Sequence, residues 1–370
     1  MSSIATGPQT DETLLTSDQI LRSVNIVFDA DYPERIAHFF PTTKTIDLLR
    51  RLLTEDDSAG RFVVAPYGSG KSLLASFYQQ VVENRPAAME VLRPVVQRIR
   101  QIDEDLYQRI EDRTGSDNMI RMSGLVIPLS GYVSHIPSAL HDGLVRALHR
   151  LGETDIAAEL EAMDVYTLDD IISLFTSVRE KYGGSRFDHL DILWDEFGRH
   201  LEEIVVRGEA HRLNELQLLS EFAVRSRRFT MQLVLFLHQS LMRYASNVPQ
   251  SVIHEWKKIE GRFETQQFVD DSKEVISLAA RVIGTRFPDQ RPPAGFIEEE
   301  MKRLAEVGLF REFAAEELEA VITSAWPLLP AGLYVLPRIS ARVAQNERTL
   351  FSFVFDISAD GIVTPANVFD

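Results

Sequence analysis

The run Gly60-Arg61-Phe62-Val63-Val64-Ala65-Pro66-Tyr67-Gly68-Ser69-Gly70-Lys71-Ser72 constrains this chain more than any other part of it. Phe62, Val63 and Val64 form a short apolar run rich in β-branched side chains, which predicts a buried strand. Gly68 and Gly70 permit backbone angles that other residues resist and let the chain approach a polyphosphate closely. Leu74, Phe77, Tyr78 and Val81 then recur at helical spacing and predict a helix packed under a sheet. A strand, a glycine-rich turn and a helix start aim free N–H groups and a helix dipole at one point, which favours negative charge. Lys71 is expected to reach the β- and γ-phosphates, and the Ser72 hydroxyl to ligate magnesium. The nucleotide would be cradled from Ala65 and Pro66 through Tyr67, Gly68, Ser69 and Gly70 to Lys71, Ser72 and Leu73.

A second motif fits this P-loop. His189-Leu190-Asp191-Ile192-Leu193-Trp194-Asp195-Glu196 reads as an apolar strand ending in two acids. Placed beside the P-loop strand, it would bring Asp195 to magnesium, directly or through water. Glu196 would polarise the water that attacks the γ-phosphate. A third strand, Gln232 to Leu237, ends in His238-Gln239-Ser240, and His238 or Gln239 is the expected γ-phosphate sensor. Leu125 to Ser130 reads as a further strand, and its Pro128 points to an edge or an end of pairing.

These parts, in this order, resemble the additional-strand ATPases of the AAA+/STAND group. The resemblance implies an α/β fold: a three-layer P-loop NTPase core with a central parallel sheet, helical inserts and a C-terminal helical lid. In Glu260-Gly261-Arg262-Phe263-Glu264, before a short fifth strand, it makes Arg262 an arginine finger for a neighbouring subunit, hence a homo-oligomer. A surface or salt-bridged arginine is the other reading of Arg262. In the lid it makes Arg338, with Arg342 one turn later, a sensor on a helix that starts after Pro337, and Pro330 an adenine contact. A capping or interface arginine and a loop proline are the alternatives. By the same likeness His38-Phe39-Phe40-Pro41-Thr42 flanks adenine, with plain core as its alternative.

Several phrases are similar to the large ATPases of bacterial phage-defence systems, including BREX-type phage-resistance ATPases. They are Trp194-Asp195-Glu196-Phe197-Gly198, Leu237-His238-Gln239-Ser240, Glu260 to Glu264, and Gln345-Asn346-Glu347-Arg348-Thr349-Leu350-Phe351. The implied function is magnesium-dependent ATP binding and hydrolysis that drives switching and assembly of a bacterial antiphage complex. Other defence-complex proteins are then candidate partners. Two alternatives stay open: a nucleotide-gated scaffold with little turnover, and a DNA-translocating or loader ATPase. No guanine-reading Asn-Lys-x-Asp motif stands in a suitable place, which favours ATP over GTP.

The chain has 370 residues, enough for one large core and a lid, with a net charge of −16. That charge argues against a broadly basic DNA or RNA surface, although Arg225, Arg227 and Arg228 form one small cluster. Cysteine is absent, which fits a reducing cytoplasm and excludes a disulfide framework. Neither a signal segment nor a membrane-length apolar run is present, so no membrane partner is expected.

The expected organisation is a loose segment over residues 1–20, a core over 21–270, a lid over 271–355 and the start of a further region over 356–370. Helical inserts are expected at about 84–120 and 137–182. In the first, Val91, Val95, Ile99 and Ile102 lie near helical spacing. Arg286 to Gly295 is a proline-rich break inside the lid. Thr364-Pro365 reads as a helix start close to the last residue, which predicts a natural polypeptide that continues beyond Asp370.

Overall fold

The computed structural model describes residues 24–54, 60–66, 69–114, 122–224, 230–245, 248–268, 272–343 and 361–368. Tyr67 and Gly68, the arginine cluster at 225–228, the phrase at 345–351 and the segment 1–20 lie outside the described residues. So does the side chain of Arg342.

Five parallel strands form one sheet: β1 (Gly60–Val64), β2 (Ser123–Ser130), β3 (Phe187–Asp195), β4 (Thr230–Leu237) and β5 (Glu264–Gln267), in the order β2-β3-β4-β1-β5. Side chains alternate between its faces, as strand geometry requires. Phe62, Leu125, Ile127, Ile192, Trp194 and Leu235 enter one apolar core. Val63, Val126, Leu193, Val234 and Phe236 enter another on the opposite face. Helices cover both faces, which explains why the strands read as near-continuous apolar runs.

On the second face lie α1 (Thr43–Leu53), α2 (Lys71–Glu83), α3 (Pro86–Arg100) and α4 (Glu104–Thr114). Leu74, Phe77, Tyr78 and Val81 of α2 are all buried there, as their spacing predicts. The other face is covered by α5 (Ile136–Arg150), α6 (Thr154–Glu161), α7 (Leu168–Tyr182), α8 (Phe197–Val206) and α9 (Asn214–Val224). Two further helices follow β4: α10 (Leu241–Tyr244) and α11 (Gln250–Glu260).

Three expectations need correction. The strand carrying Asp195 is not beside the P-loop strand: β4 pairs with both β1 and β3 and lies between them. β4 is apolar from Leu233 to Leu237 and fully buried, so it belongs at the centre. The apolar stripe of the first insert also differs. The insert breaks at Gln101-Ile102-Asp103, and its buried stripe is Met89, Leu92, Val95, Val96 and Ile99, leaving Val91 and Ile102 exposed. Pro337 does not start a helix, because it lies within α15 (Pro330–Val343). Pro128, by contrast, sits on β2 at the sheet edge, where its missing N–H costs no ladder bond.

The chain divides into two compact units; the described residues of the one that holds the sheet fall within 24–275 and 338–343. The described residues of the other are 276–337 and 361–368. This second unit is built on α12 (Ser272–Arg286), α13 (Phe296–Val307), α14 (Ala315–Ser324) and α15. Within it Phe296 meets Trp326 edge-on at 5.1 Å, and Leu328 bridges Val363. A 3-10 turn, Pro365–Val368, ends the described chain.

Candidate functional site

The site forms where β1, β3 and β4 end. Ala65 N donates to Leu237 O at 2.9 Å, and Phe268 N donates to Val64 O at 2.8 Å, so β1 leaves the sheet held on both sides. The chain then turns into α2 through Gly70, whose φ of 80° is in the left-handed region that glycine adopts without strain. Among the described residues no atom lies within 4 Å of where a Cβ on Gly70 would stand, so the left-handed backbone is the strain that another residue would meet there. Lys71 is buried, and its Nζ donates to Ala65 O at 3.0 Å and Pro66 O at 2.7 Å. Ser69 Oγ donates to Pro66 O at 2.9 Å, so the lysine and the serine share one carbonyl of the loop. Leu73 packs its side chain into the second core.

Ser72 Oγ donates to Asp195 Oδ2 at 2.5 Å. The two residues are 123 positions apart in sequence. They meet although β1 and β3 are two strand spacings apart, roughly 10 Å. The first turn of α2 spans this gap across the sheet's C-terminal end. A hydroxyl and a carboxylate side by side are hard oxygen donors of the kind magnesium takes. Among the described residues no cluster of three or more His, Cys, Asp or Glu side chains could hold a metal.

Glu196 follows directly, with φ at 50°, an uncommon angle for a residue bearing a Cβ. Its N–H donates to Asp195 Oδ1 at 2.8 Å. Gly131 N donates to Asp195 O at 2.9 Å, and Trp194 Nε1 donates to Gly131 O at 2.9 Å. The exit of β2 is thereby tied to the exit of β3. Glu196 Oε2 forms an ion pair with Arg199 Nη1 at 3.1 Å. Gly198 lets α8 press onto α10, since a Cβ there would stand 2.3 Å from the Tyr244 hydroxyl. A cavity of about 710 Å³ opens beside Glu196, with Phe28, Gly131, Tyr132, Arg199, Glu202 and Glu203 among its lining residues.

His238 leaves β4 toward the same region. Burial, aided by the positive charges of Lys71 and Arg199, holds its pKa down at about 3, so the ring is neutral at physiological pH. Gln239 follows it, half-buried.

The remaining expected residues have the following surroundings. Arg262 sits in the turn before β5, whose first residue Glu264 is paired with Arg61 near the start of β1. That is the end of the sheet opposite the P-loop, roughly 15 Å away along β1. In this chain Arg262 forms an ion pair with Glu221. Arg338 is half-buried within α15, and Pro330 is buried at that helix's first position. His38 and Phe40 flank Arg98, whose guanidinium lies 4.2 Å from the Phe40 ring centre. Phe39 is core, 5.7 Å from Phe77, and Thr42 caps α1. Burial and then Arg98 lower the His38 pKa to about 4.

Arg199, Gly131 and the Asn25–Phe28 side of the cavity were not foreseen from sequence. Arg199 had a legible signal, since it stands three residues after Glu196, a spacing that meets on a helix. Gly131 and Phe28 had none, because only the folded chain brings them to β3.

No protein-family model matches the chain, and no curated protein matches it. Among solved structures, it is similar to a chain of Drosophila ORC bound to AT-rich DNA and Cdc6, at 12% identity and a TM-score of 0.32, covering 96% of this chain and 47% of that one. A second is Drosophila ORC bound to GC-rich DNA and Cdc6, at 12% identity and a TM-score of 0.29, covering 96% and 46%. The chain spans about half the length of these neighbours. A likeness this low carries no argument about activity.

Proposed function

We propose that this chain is an ATPase of the AAA+/STAND kind, which binds ATP with magnesium at the loop 65–73 and hydrolyses the β–γ bond. The observation that carries the reading is the Ser72–Asp195 contact at 2.5 Å, which unites a P-loop serine with a strand-end acid. Lys71 would exchange its two loop carbonyls for β- and γ-phosphate oxygens. Ser72 and Asp195 would hold the metal, and Glu196 would take the proton of the attacking water. Bound magnesium would neutralise charge on the phosphate oxygens. Neutral His238, or Gln239, would accept or donate a hydrogen bond at the γ-phosphate end.

The wider reading rests on the sequence resemblance. By that resemblance Arg262, paired with Glu221 in its own chain, would exchange this carboxylate for a neighbour's γ-phosphate in a homo-oligomer. The helical unit would act as a lid carrying Pro330, Arg338 would be the sensor at the point where α15 passes from that unit to the sheet unit, and the assembly would serve bacterial phage defence. Among the described residues no helix is long and apolar enough to cross a membrane.

Binding of a fluorescent ATP analogue, with and without magnesium, together with phosphate release, tests the core of this. Lys71→Ala should abolish tight binding, and Glu196→Gln should bind ATP without turnover. An unaltered chain that shows no magnesium-dependent ATP binding would refute the proposal.

A further inference from the structure

Glu196 is held on several sides. Its backbone is fixed in the left-handed region at φ 50°, with its N–H bonded to Asp195 Oδ1. Its carboxylate faces Gly131, where a built Cβ would stand 3.8 Å from Oε2. That same oxygen forms an ion pair with Arg199 Nη1 at 3.1 Å. The Arg199 backbone N–H also donates to Glu196 O at 2.9 Å, closing the first turn of α8. Both side chains line the cavity of about 710 Å³, so water has access to the carboxylate from that side.

Exposed pairs at this spacing recur elsewhere in the chain, as in Glu255–Lys258 and Glu90–Arg93, and such pairs add little to stability. The Glu196–Arg199 pair differs in where it stands. Its acid is the strand-end carboxylate next to Asp195, and its arginine lies near enough to His238 to act on it electrostatically, as does Lys71.

We infer that Arg199 is a positioning residue for Glu196: its guanidinium fixes the carboxylate against Gly131 so that one orientation is offered to water entering from the cavity. The role rests on the hydrolytic reading above. A general base must present its oxygen within hydrogen-bond reach of the water, and loss of orientation is felt in the chemical step more than in binding. Arg199 is 61% exposed, so its replacement leaves no buried gap.

The experiment compares the unaltered chain with Arg199→Ala, Arg199→Lys and Glu196→Gln in steady-state ATP turnover. Affinity for a non-hydrolysable ATP analogue with magnesium is measured alongside. Arg199→Ala should lower kcat on the order of tenfold, with KM and the analogue's Kd within about twofold. Arg199→Lys should recover part of kcat, since it keeps the charge and loses the planar fork. An unchanged kcat in Arg199→Ala would overturn the inference. So would a Kd that weakens in step with kcat, because that would make Arg199 a contact of the nucleotide itself. If the unaltered chain binds the analogue yet never turns over ATP, the hydrolytic reading fails and this role falls with it. If it turns over, Glu196→Gln is inactive and Arg199→Ala is normal, only the Arg199 role fails.

Discussion

His200, on α8, braces the strand exits that carry the site. It is 1% exposed, with ring centres of Trp194 at 4.6 Å, Phe197 at 5.7 Å and Tyr132 at 5.7 Å. Its Nδ1 accepts from Val133 N at 3.3 Å, joining α8 to the chain just after Gly131. Burial, with Arg212 adding repulsion, lowers its pKa from 6.5 to about 3. Above pH 6.5 the ring is neutral in both folded and unfolded chains and the shift has no effect on stability. As pH falls below 6.5 the unfolded chain takes up a proton that the folded chain refuses until about pH 3, so stability declines across that window. At pH 5 the unfolded imidazole is about 1.5 pH units past its midpoint, which costs the folded state about 2 kcal/mol relative to pH 7.5.

His200→Phe keeps the aromatic volume, cannot titrate, and leaves the Val133 N–H without its acceptor, at a cost of about 1–3 kcal/mol that does not depend on pH. Urea unfolding at pH 7.5 and pH 5.0, followed by tryptophan fluorescence, separates the two effects. His200→Phe should be the less stable protein at pH 7.5 and should lose about 2 kcal/mol less than the unaltered chain on going to pH 5.0. Other buried histidines contribute equally to both proteins and cancel. An equal acid loss in the two would show that His200 is not held neutral and would refute the packing argument.

Other expectations follow from the same geometry. Gly143→Ala places a Cβ 2.4 Å from Ile127 Cγ2 where α5 lies on β2, so a drop of about 1–3 kcal/mol in urea-derived stability is expected. Unchanged stability there would mean that α5 does not pack so closely on the sheet. Arg262→Ala should leave ATP affinity of the dilute chain intact while flattening the rise of turnover with protein concentration. Turnover that is independent of concentration in the unaltered chain would remove Arg262 from the active site, and zero turnover at every concentration would favour a scaffold.

The strands and the P-loop were legible because their signals are local. Phe62 to Val64 must be buried by their composition, and Gly70 must turn the chain where the helix of Leu74 and Phe77 begins. The strand order was not legible. Nothing in Asp195 or Ser72 tells that β4 lies between their strands, since pairing is decided by which apolar runs reach the centre, and β4 is buried from Leu233 to Leu237. The stripe of α3 was misplaced at Val91 and Ile102 because both are apolar and near the right spacing. The helix ends at Arg100, and the buried face follows Leu92 and Val96 instead. Pro337 suggested a helix start, yet a helix tolerates an interior proline once neighbouring turns hold it, and α15 runs through it. Gly131 and the Asn25–Phe28 wall come from segments distant in sequence and leave no pattern near the acids they adjoin.

Ser72 and Asp195 provide the most direct test of a shared metal–phosphate site. Magnesium dependence of ATP-analogue affinity, measured for the unaltered chain, Ser72→Ala, Asp195→Asn and the double variant, forms a double-mutant cycle. Each single replacement should erase most of the gain in affinity that magnesium gives, and the double variant should lose little more. Two independent, additive losses, or a magnesium gain that survives in both single variants, would contradict the account.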